Sequence, residues 1–315
     1  MKITNFLFAI LIINIISCSD IILDLDEEFI ELEEDSDTDG LVVYYDRFDN
    51  SVFSIETNGK NKKLIEDNNL SPINSISLSY DKEKVAWLNT DNEIYIYDIN
   101  GTFIEKITPS GNVFKVEWVN FSENTLVYNE GMTLQKWGST NYNLPPFENF
   151  TDFTPPSFGF VANQFLRSNF TISPNNDIAI HHYNFNNSIG YQHAIEIVKS
   201  NGEKLYKWSN ILPYNMKFSN ENNQYLSIFG DNFTSSGDIS VIYRLDNNIQ
   251  EMNSFTSGYY NLILSNSANE FIASSGFSNL LDGSRNLVYT NSSSSAISIT
   301  DFINNNQNIT FDWKH

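Results

Sequence analysis

From residue 75 onward one four-strand unit recurs, and the incomplete copies at the two ends of the chain restrict the fold to a closed ring. Each copy opens with a strand that ends on a polar residue. A tight polar turn, a second apolar strand, a third strand and a short fourth follow. The fullest copy is Ser75–Pro109, with strands over 75–79, 85–88, 93–98 and 103–107. Its last two strands join through Asn100-Gly101, a dipeptide that favours hairpins because both residues tolerate positive φ. Further copies open at 170–173, 216–219 and 262–265, each ending on Ser, and 116–120 fits the slot with Asn120. Aligned on that polar residue, the copies fall at 79, 120, 173, 219 and 265, with Asp312 as a sixth, at spacings of 41, 53, 46, 46 and 47. A four-stranded period in the forties is that of propeller blades. No stretch of the chain sustains a helical period of apolar residues.

The ends fix the number of blades. The final copy has a first strand, 309–312, and then stops, while 41–45, 51–56 and 62–66 read as strands two, three and four of a copy that lacks its first. The C-terminal strand therefore completes the blade begun by the N-terminal segment. One shared blade and five whole ones give an all-β, six-bladed β-propeller over 41–315 with no long sheet edge left open, and hence an expected monomer. The pattern resembles the propellers of the TolB and WD-repeat type. TolB-type blades carry a Ser-Pro-Asp-Gly-like turn after the first strand, matched in outline by Ser173-Pro174-Asn175-Asn176 and Ser79-Tyr80-Asp81. The resemblance implies architecture; propellers host binding modules, scaffolds and enzymes alike.

Ahead of the ring lies a short basic start, an apolar run over 6–16 and then Cys18, the only cysteine. The run is too short to span a bilayer and of the length of a secretory signal. Ile15-Ile16-Ser17-Cys18 resembles the lipobox of bacterial lipoproteins, which implies cleavage of residues 1–17 and lipidation of Cys18. The lipid would then be the one membrane contact. Residues 18–40 form an acidic tether: 11 of the 39 acidic residues lie between Asp20 and Asp39, with no base among them. Such a block repels itself and stays solvated. Acidic residues after the acylated cysteine also resemble the export tag of surface lipoproteins in the Bacteroidetes. The expected location is the cell envelope, at the outer membrane, periplasmic or surface-exposed. With a net charge of −21, the chain is not a nucleic-acid binder.

In a propeller, the loops from strand two to three and from strand four to the next blade open on one face. Here these are the long ones: 182–193, 229–238, 276–285, and an aromatic-rich insert at about 137–167. Insertions gathered on one face of a repeat protein mark its binding face. The candidate contact residues are Trp137, Tyr142, Phe147, Tyr183, Phe185, Tyr191, His193, Asp231, Phe233, Phe277, Asp282 and Arg285. Rings beside amides suit a polysaccharide or an envelope protein. The insert reads equally as a plug packed into the channel mouth.

Chemistry is sparse. Asp35, Asp37, Asp39 and Gly40 resemble the start of a calcium loop, with Asp46 at the twelfth position where a bidentate Glu belongs. Apart from that possible calcium ion, no cofactor is expected. His181, His182 and His193 lie in one hairpin; neighbours on a strand face opposite ways, so one of the pair at most joins His193. They read as loop histidines rather than metal ligands. No nucleophile elbow, zinc helix or phosphate loop occurs. The sequence stops on the closing strand, so the hydrolase domain that follows the propeller in dipeptidyl-peptidase-type enzymes is not expected. The reading is a non-catalytic, lipid-anchored binding or scaffold module. A polysaccharide-active or calcium-dependent propeller hydrolase is the alternative, and a periplasmic assembly partner like TolB a third.

Overall fold

Runs such as Leu41-Val-Val-Tyr-Tyr45 are apolar at every position, and alternation along a strand sends neighbours to opposite faces. A strand of this kind is stable only with a layer on each side, the situation of a sheet between two others. The computed structural model describes residues 40–67, 71–119, 125–130, 133–138, 166–186, 190–220, 223–232, 237–255, 259–265, 270–276, 284–290, 297–300, 304–305 and 310–314.

The described strands are, in chain order, β1 (Leu41–Asp46), β2 (Ser51–Glu56) and β3 (Lys63–Glu66); β4 (Ile73–Leu78), β5 (Lys84–Asn89), β6 (Ile94–Asp98) and β7 (Phe103–Ile107); β8 (Val116–Trp118), β9 (Leu126–Glu130) and β10 (Thr133–Trp137). They continue with β11 (Leu166–Ile172), β12 (Ile178–Asn186), β13 (Gly190–Val198) and β14 (Lys204–Ser209); β15 (Ile211–Phe218), β16 (Tyr225–Asn232), β17 (Asp238–Leu245) and β18 (Ile249–Phe255); β19 (Tyr259–Leu264), β20 (Phe271–Gly276), β21 (Ser284–Thr290), β22 (Ile297–Ser298) and β23 (Asn304–Asn305); and β24 (Phe311–Lys314). Each group up to β23 forms one antiparallel sheet in chain order, with β22 and β23 both on β21. The first sheet reads β24-β1-β2-β3. The C-terminal strand thus closes the ring, pairing Leu41 with Lys314, Val42 with Trp313, Val43 with Asp312 and Tyr44 with Phe311. The protein is a six-bladed β-propeller, and no helix occurs among the described residues.

The core is divided among the blade junctions. Val42, Tyr44, Phe311 and Trp313 of the closing blade pack on Ile263, Ile272 and Leu287 of blade six, while Val43 and Tyr45 turn the other way onto Ile76, Leu78 and Trp87 of blade two. Equivalent clusters join blades two and three around Trp118, three and four around Ile172, four and five around Phe218, and five and six around Leu264. Trp87, Trp118 and Trp313 are fully buried, and burying a large apolar side chain stabilises by roughly 1.5–3 kcal/mol. Closure of the ring therefore rests on packing as much as on strand pairing.

Two sequence expectations change in detail. The residue that follows the first strand is Ser79, Ser173, Ser219 and Ser265, whose amides bond to the start of the second strand; in blade three that bond comes from Val119, not Asn120. In the closing blade the register puts Lys314 in this slot and Asp312 two residues deeper. At Asn100-Gly101, Gly101 alone takes positive φ (91°). Its amide donates to the Asp98 carbonyl at 3.1 Å, and Asp98 Oδ1 accepts from the Asn100 and Thr102 amides. The turn is therefore a longer, side-chain-capped one, and a Cβ on Gly101 would lie 2.8 Å from the Ile65 carbonyl of the neighbouring blade.

Candidate functional site at the axial mouth

Alternation on the inner strands puts one set of side chains into the blade junctions and the other onto the ring axis. The axial set forms layers. Nearest the tight turns are Ser79, Ser173, Ser219, Ser265 and Lys314; above them lie Ser77, Glu117, Thr171, Lys217 and Asp312; above these again are Ser75, Lys115, Asn215, Asn261 and Thr310.

The middle of the axis is charged and closed to water. Lys115, Glu117, Lys217, Asp312 and Lys314 are each no more than 5% exposed. Lys217 Nζ lies 3.5 Å from Glu117 Oε1 and 3.2 Å from Asp312 Oδ1. Lys115 Nζ lies 3.1 Å from Glu117 Oε2, and Lys314 Nζ 3.8 Å from Asp312 Oδ2. Asp312 Oδ2 also accepts from Ser77 Oγ at 3.1 Å and from the Leu78 amide at 2.8 Å, so the closing strand grips blade two through a side chain. Thr171 Oγ1 donates to Glu117 Oε1 at 2.8 Å. Lys115 Nζ donates to the carbonyls of Phe170 and Met216, at 2.8 and 2.6 Å, and so ties blade three to blades four and five. Burial, the largest influence, disfavours a charged Lys115, and with Lys217 nearby its pKa falls to about 8 despite the Glu117 carboxylate. Burial also opposes ionisation of Asp312, but Lys217, Lys314 and the Leu78 amide outweigh it and hold its pKa below the usual carboxylate range.

Above this layer the axis opens into a cavity of about 150 Å³. Its walls carry the amides of Asn74, Asn215 and Asn261, the rings of Phe114, Tyr214, Phe229 and Phe311, and Lys115 and Lys217. Phe114 and Tyr214 are 51% and 52% exposed and form its rim. The lining comes from five blades, with Thr310 and Phe311 supplied by the C-terminal segment, so the cavity exists only in the closed ring. These residues sit toward the N-terminal ends of the inner strands, the end at which strand two turns into strand three. The cavity therefore opens on the face expected from the loop lengths.

Many of the residues expected from the sequence fall elsewhere. The segment 182–193 is not a long loop: β12 and β13 pair continuously out to Asn186 opposite Gly190. Phe229 and Asp231 likewise belong to β16, and Asp231 pairs with Asp238. Tyr183, Phe185, Tyr191 and Arg285 lie on strands β12, β13 and β21, but their side chains are outside the described set. Tyr142, Phe147, Phe233, Phe277, Asp282, Cys18 and Asp35, Asp37 and Asp39 are outside the described residues altogether. Trp137 ends β10, edge-on to Trp118, and its indole donates to Glu105 Oε2 at 2.8 Å. It braces blade three against blade two. Asp46 drops out of a calcium loop: β1 is extended, which carries it roughly 15–20 Å from Gly40, and its carboxylate caps the next turn through the Phe48 amide.

The histidines are buried, not loop residues. His181 Nε2 meets His193 Nδ1 at 3.0 Å in a stacked pair, and His182 on the opposite face meets Glu196 Oε2 at 2.8 Å. Burial, together with His193 and His182, pushes the His181 pKa well down, and burial lowers that of His193 to about 4. Both are neutral at pH 7. Glu196 further accepts from Tyr206 Oη at 3.2 Å, and the described residues hold no group of three or more metal-ligating side chains.

The axial lysines and carboxylates were missed by the sequence reading. Their signal was present: Lys115 and Glu117 alternate with the buried Val116 and Trp118, and Asp312 and Lys314 flank Trp313. Charged residues at every second position of a strand packed on its other face must point into the channel.

No family model and no curated protein matches this chain. Among solved structures it is similar to a Bacteroides fragilis protein with a provisional 6-phosphogluconolactonase assignment, at 9% identity and a TM-score of 0.51, covering 88% of this chain and 98% of that one. It is also similar to a chain of the nidogen/laminin complex, at 7% identity and a TM-score of 0.51, again covering 88% and 98%. At such identities the likeness concerns the propeller fold alone. Fold and site together define a β-propeller with a salt-bridged axis and a shallow polar–aromatic mouth.

Proposed function

We propose that this chain is a non-catalytic binding module of the cell envelope, anchored by a lipid on Cys18, that docks a polysaccharide at the axial mouth. A propeller suits a binding or scaffold role, and the observation that carries the reading is the composition of the cavity. Amide side chains from three blades stand beside two half-exposed rings, a combination that hydrogen-bonds hydroxyl groups and stacks on sugar faces. Glu117 and Asp312 converge on one lysine, but neither lines the cavity. A glycosidase needs one carboxyl group that keeps its proton near neutrality, and Asp312 is held in the opposite direction. The acidic tether would hold the ring off an acidic membrane surface.

The test is binding of the full chain to a panel of purified envelope polysaccharides, with Phe114→Ala and Tyr214→Ala alongside. The expected result is saturable binding to at least one glycan that falls tenfold or more in either variant. Binding indifferent to both substitutions, or capture of envelope protein instead of glycan, would refute the assignment. Metabolic labelling with a fatty-acid analogue should mark the wild-type chain in a bacterial host and fail with Cys18→Ala.

A further inference from the structure

The axis is electropositive inside an acidic protein. The chain carries a net −21, yet the described axial layers hold Lys115, Lys217 and Lys314 against Glu117 and Asp312. The two carboxylates lie below the cavity, whereas Lys115 and Lys217 line it. Lys115 has committed its hydrogens to the Phe170 and Met216 carbonyls. Lys217 has not. Lys217 is 4% exposed; its Nζ is ion-paired with Glu117 Oε1 at 3.5 Å and Asp312 Oδ1 at 3.2 Å, at angles that leave its hydrogens without a well-aligned acceptor. A buried ammonium with unfilled donors is costly, and an anionic oxygen entering from the cavity would both fill them and balance the charge.

Size and rim narrow the anion. A cavity of about 150 Å³ accommodates one six-membered ring. Phe114 and Tyr214 offer exposed ring faces at its edge, which a bare inorganic anion would not use. Building on the glycan-binding reading, we propose that the cavity takes a carboxylate-bearing sugar residue of an acidic polysaccharide, with the carboxylate on Lys217 and the ring against the aromatic rim. Specificity for acidic over neutral glycan then resides in one buried lysine.

The experiment titrates the full chain with tetrasaccharides of glucuronate, galacturonate and mannuronate, with the neutral glucose, galactose and mannose counterparts, and with inorganic phosphate. At least one acidic tetrasaccharide should bind tenfold or more tighter than its neutral counterpart. Lys217→Met should abolish that preference. Because removing Lys217 disturbs two ion pairs, Tyr214→Ala and Asn74→Ala, both at exposed positions, provide variants that fold; the first should weaken the acidic ligand tenfold or more and the second fivefold or more. Equal affinity for acidic and neutral sugars would overturn the inference while leaving glycan binding intact. Phosphate competing as well as the uronate would reduce the site to an anion hole and overturn it too. If no probe binds, the inference fails, and the polysaccharide panel decides the broader reading separately.

Discussion

The two ends of the ring axis are built on different principles. At the turn end a serine recurs in four blades, and its amide bonds within its own blade each time. Ser79 Oγ accepts from the Lys84 amide at 2.8 Å, and Ser173 Oγ accepts from the Asn175 and Asp177 amides at 3.2 and 2.9 Å. At the mouth end the corresponding layer is Ser75, Lys115, Asn215, Asn261 and Thr310, with only asparagine occurring twice, and the bonds run between blades. Ser75 Oγ accepts from the Val116 amide, Asn215 Nδ2 donates to Asn261 Oδ1 at 2.6 Å, and Lys115 reaches two further blades. A residue repeated in register answers a local demand made in each blade that carries it, here the unpaired amides of a turn. A residue that varies in the same register answers a demand made once per molecule. The mouth, where variation is concentrated, is where a ligand can be read.

That contrast can be broken in graded steps. Asp312→Ala removes the acid that pairs Lys217 and Lys314 and bonds blade two, and leaves buried lysines short of a counter-charge. Denaturant unfolding should show a loss of about 3–5 kcal/mol; a loss under about 1 kcal/mol would mean the axis is wetter than described. Because the folded-state pKa of Asp312 lies below its unfolded value, its contribution is complete above about pH 4 and disappears as pH falls through the folded value.

Lys115 acts in the other direction. Its folded pKa of about 8 is below the unfolded lysine value of about 10.4, so between the two the unfolded chain binds more protons. Stability should rise across that window by on the order of 2–3 kcal/mol from this group. The rise should be missing from the stability curve of Lys115→Met and present in the wild-type-minus-variant difference, measured by unfolding at successive pH values. Ser173→Ala leaves two turn amides without their acceptor and should cost about 1–3 kcal/mol without touching ligand affinity. Tyr214→Ala is the converse, changing stability by less than about 0.5 kcal/mol while lowering glycan affinity tenfold. Exchange of those two phenotypes would invert the assignment of the faces.

The ring, the blade period and the closing strand were legible because they rest on alternation, turn residues and chain ends, all local features. The alignment slipped in blade three and in the closing blade because Asp312 is as polar as the serine of the turn slot, yet occupies the channel position two residues deeper. The loop lengths pointed to the face on which the cavity opens but not to the residues that line it. Segments such as 182–186 and 229–232 carry amides and rings that also suit long hairpins, and they form strands. The axial site was hidden by distance: Lys115, Lys217 and Asp312 come from three blades and meet only when the ring closes.

Hydroxyl-radical footprinting of the full chain with and without bound polysaccharide tests the central claim directly, because half-exposed side chains occur in both kinds of region. Phe114 and Tyr214 at the mouth should lose reactivity on binding, while Phe103, Ile104 and Met252 on the outer strands β7 and β18 keep theirs. Protection of the outer strands with Phe114 and Tyr214 unchanged would show that the ligand rides on the rim of the ring, and that its axis is a structural strut and nothing more.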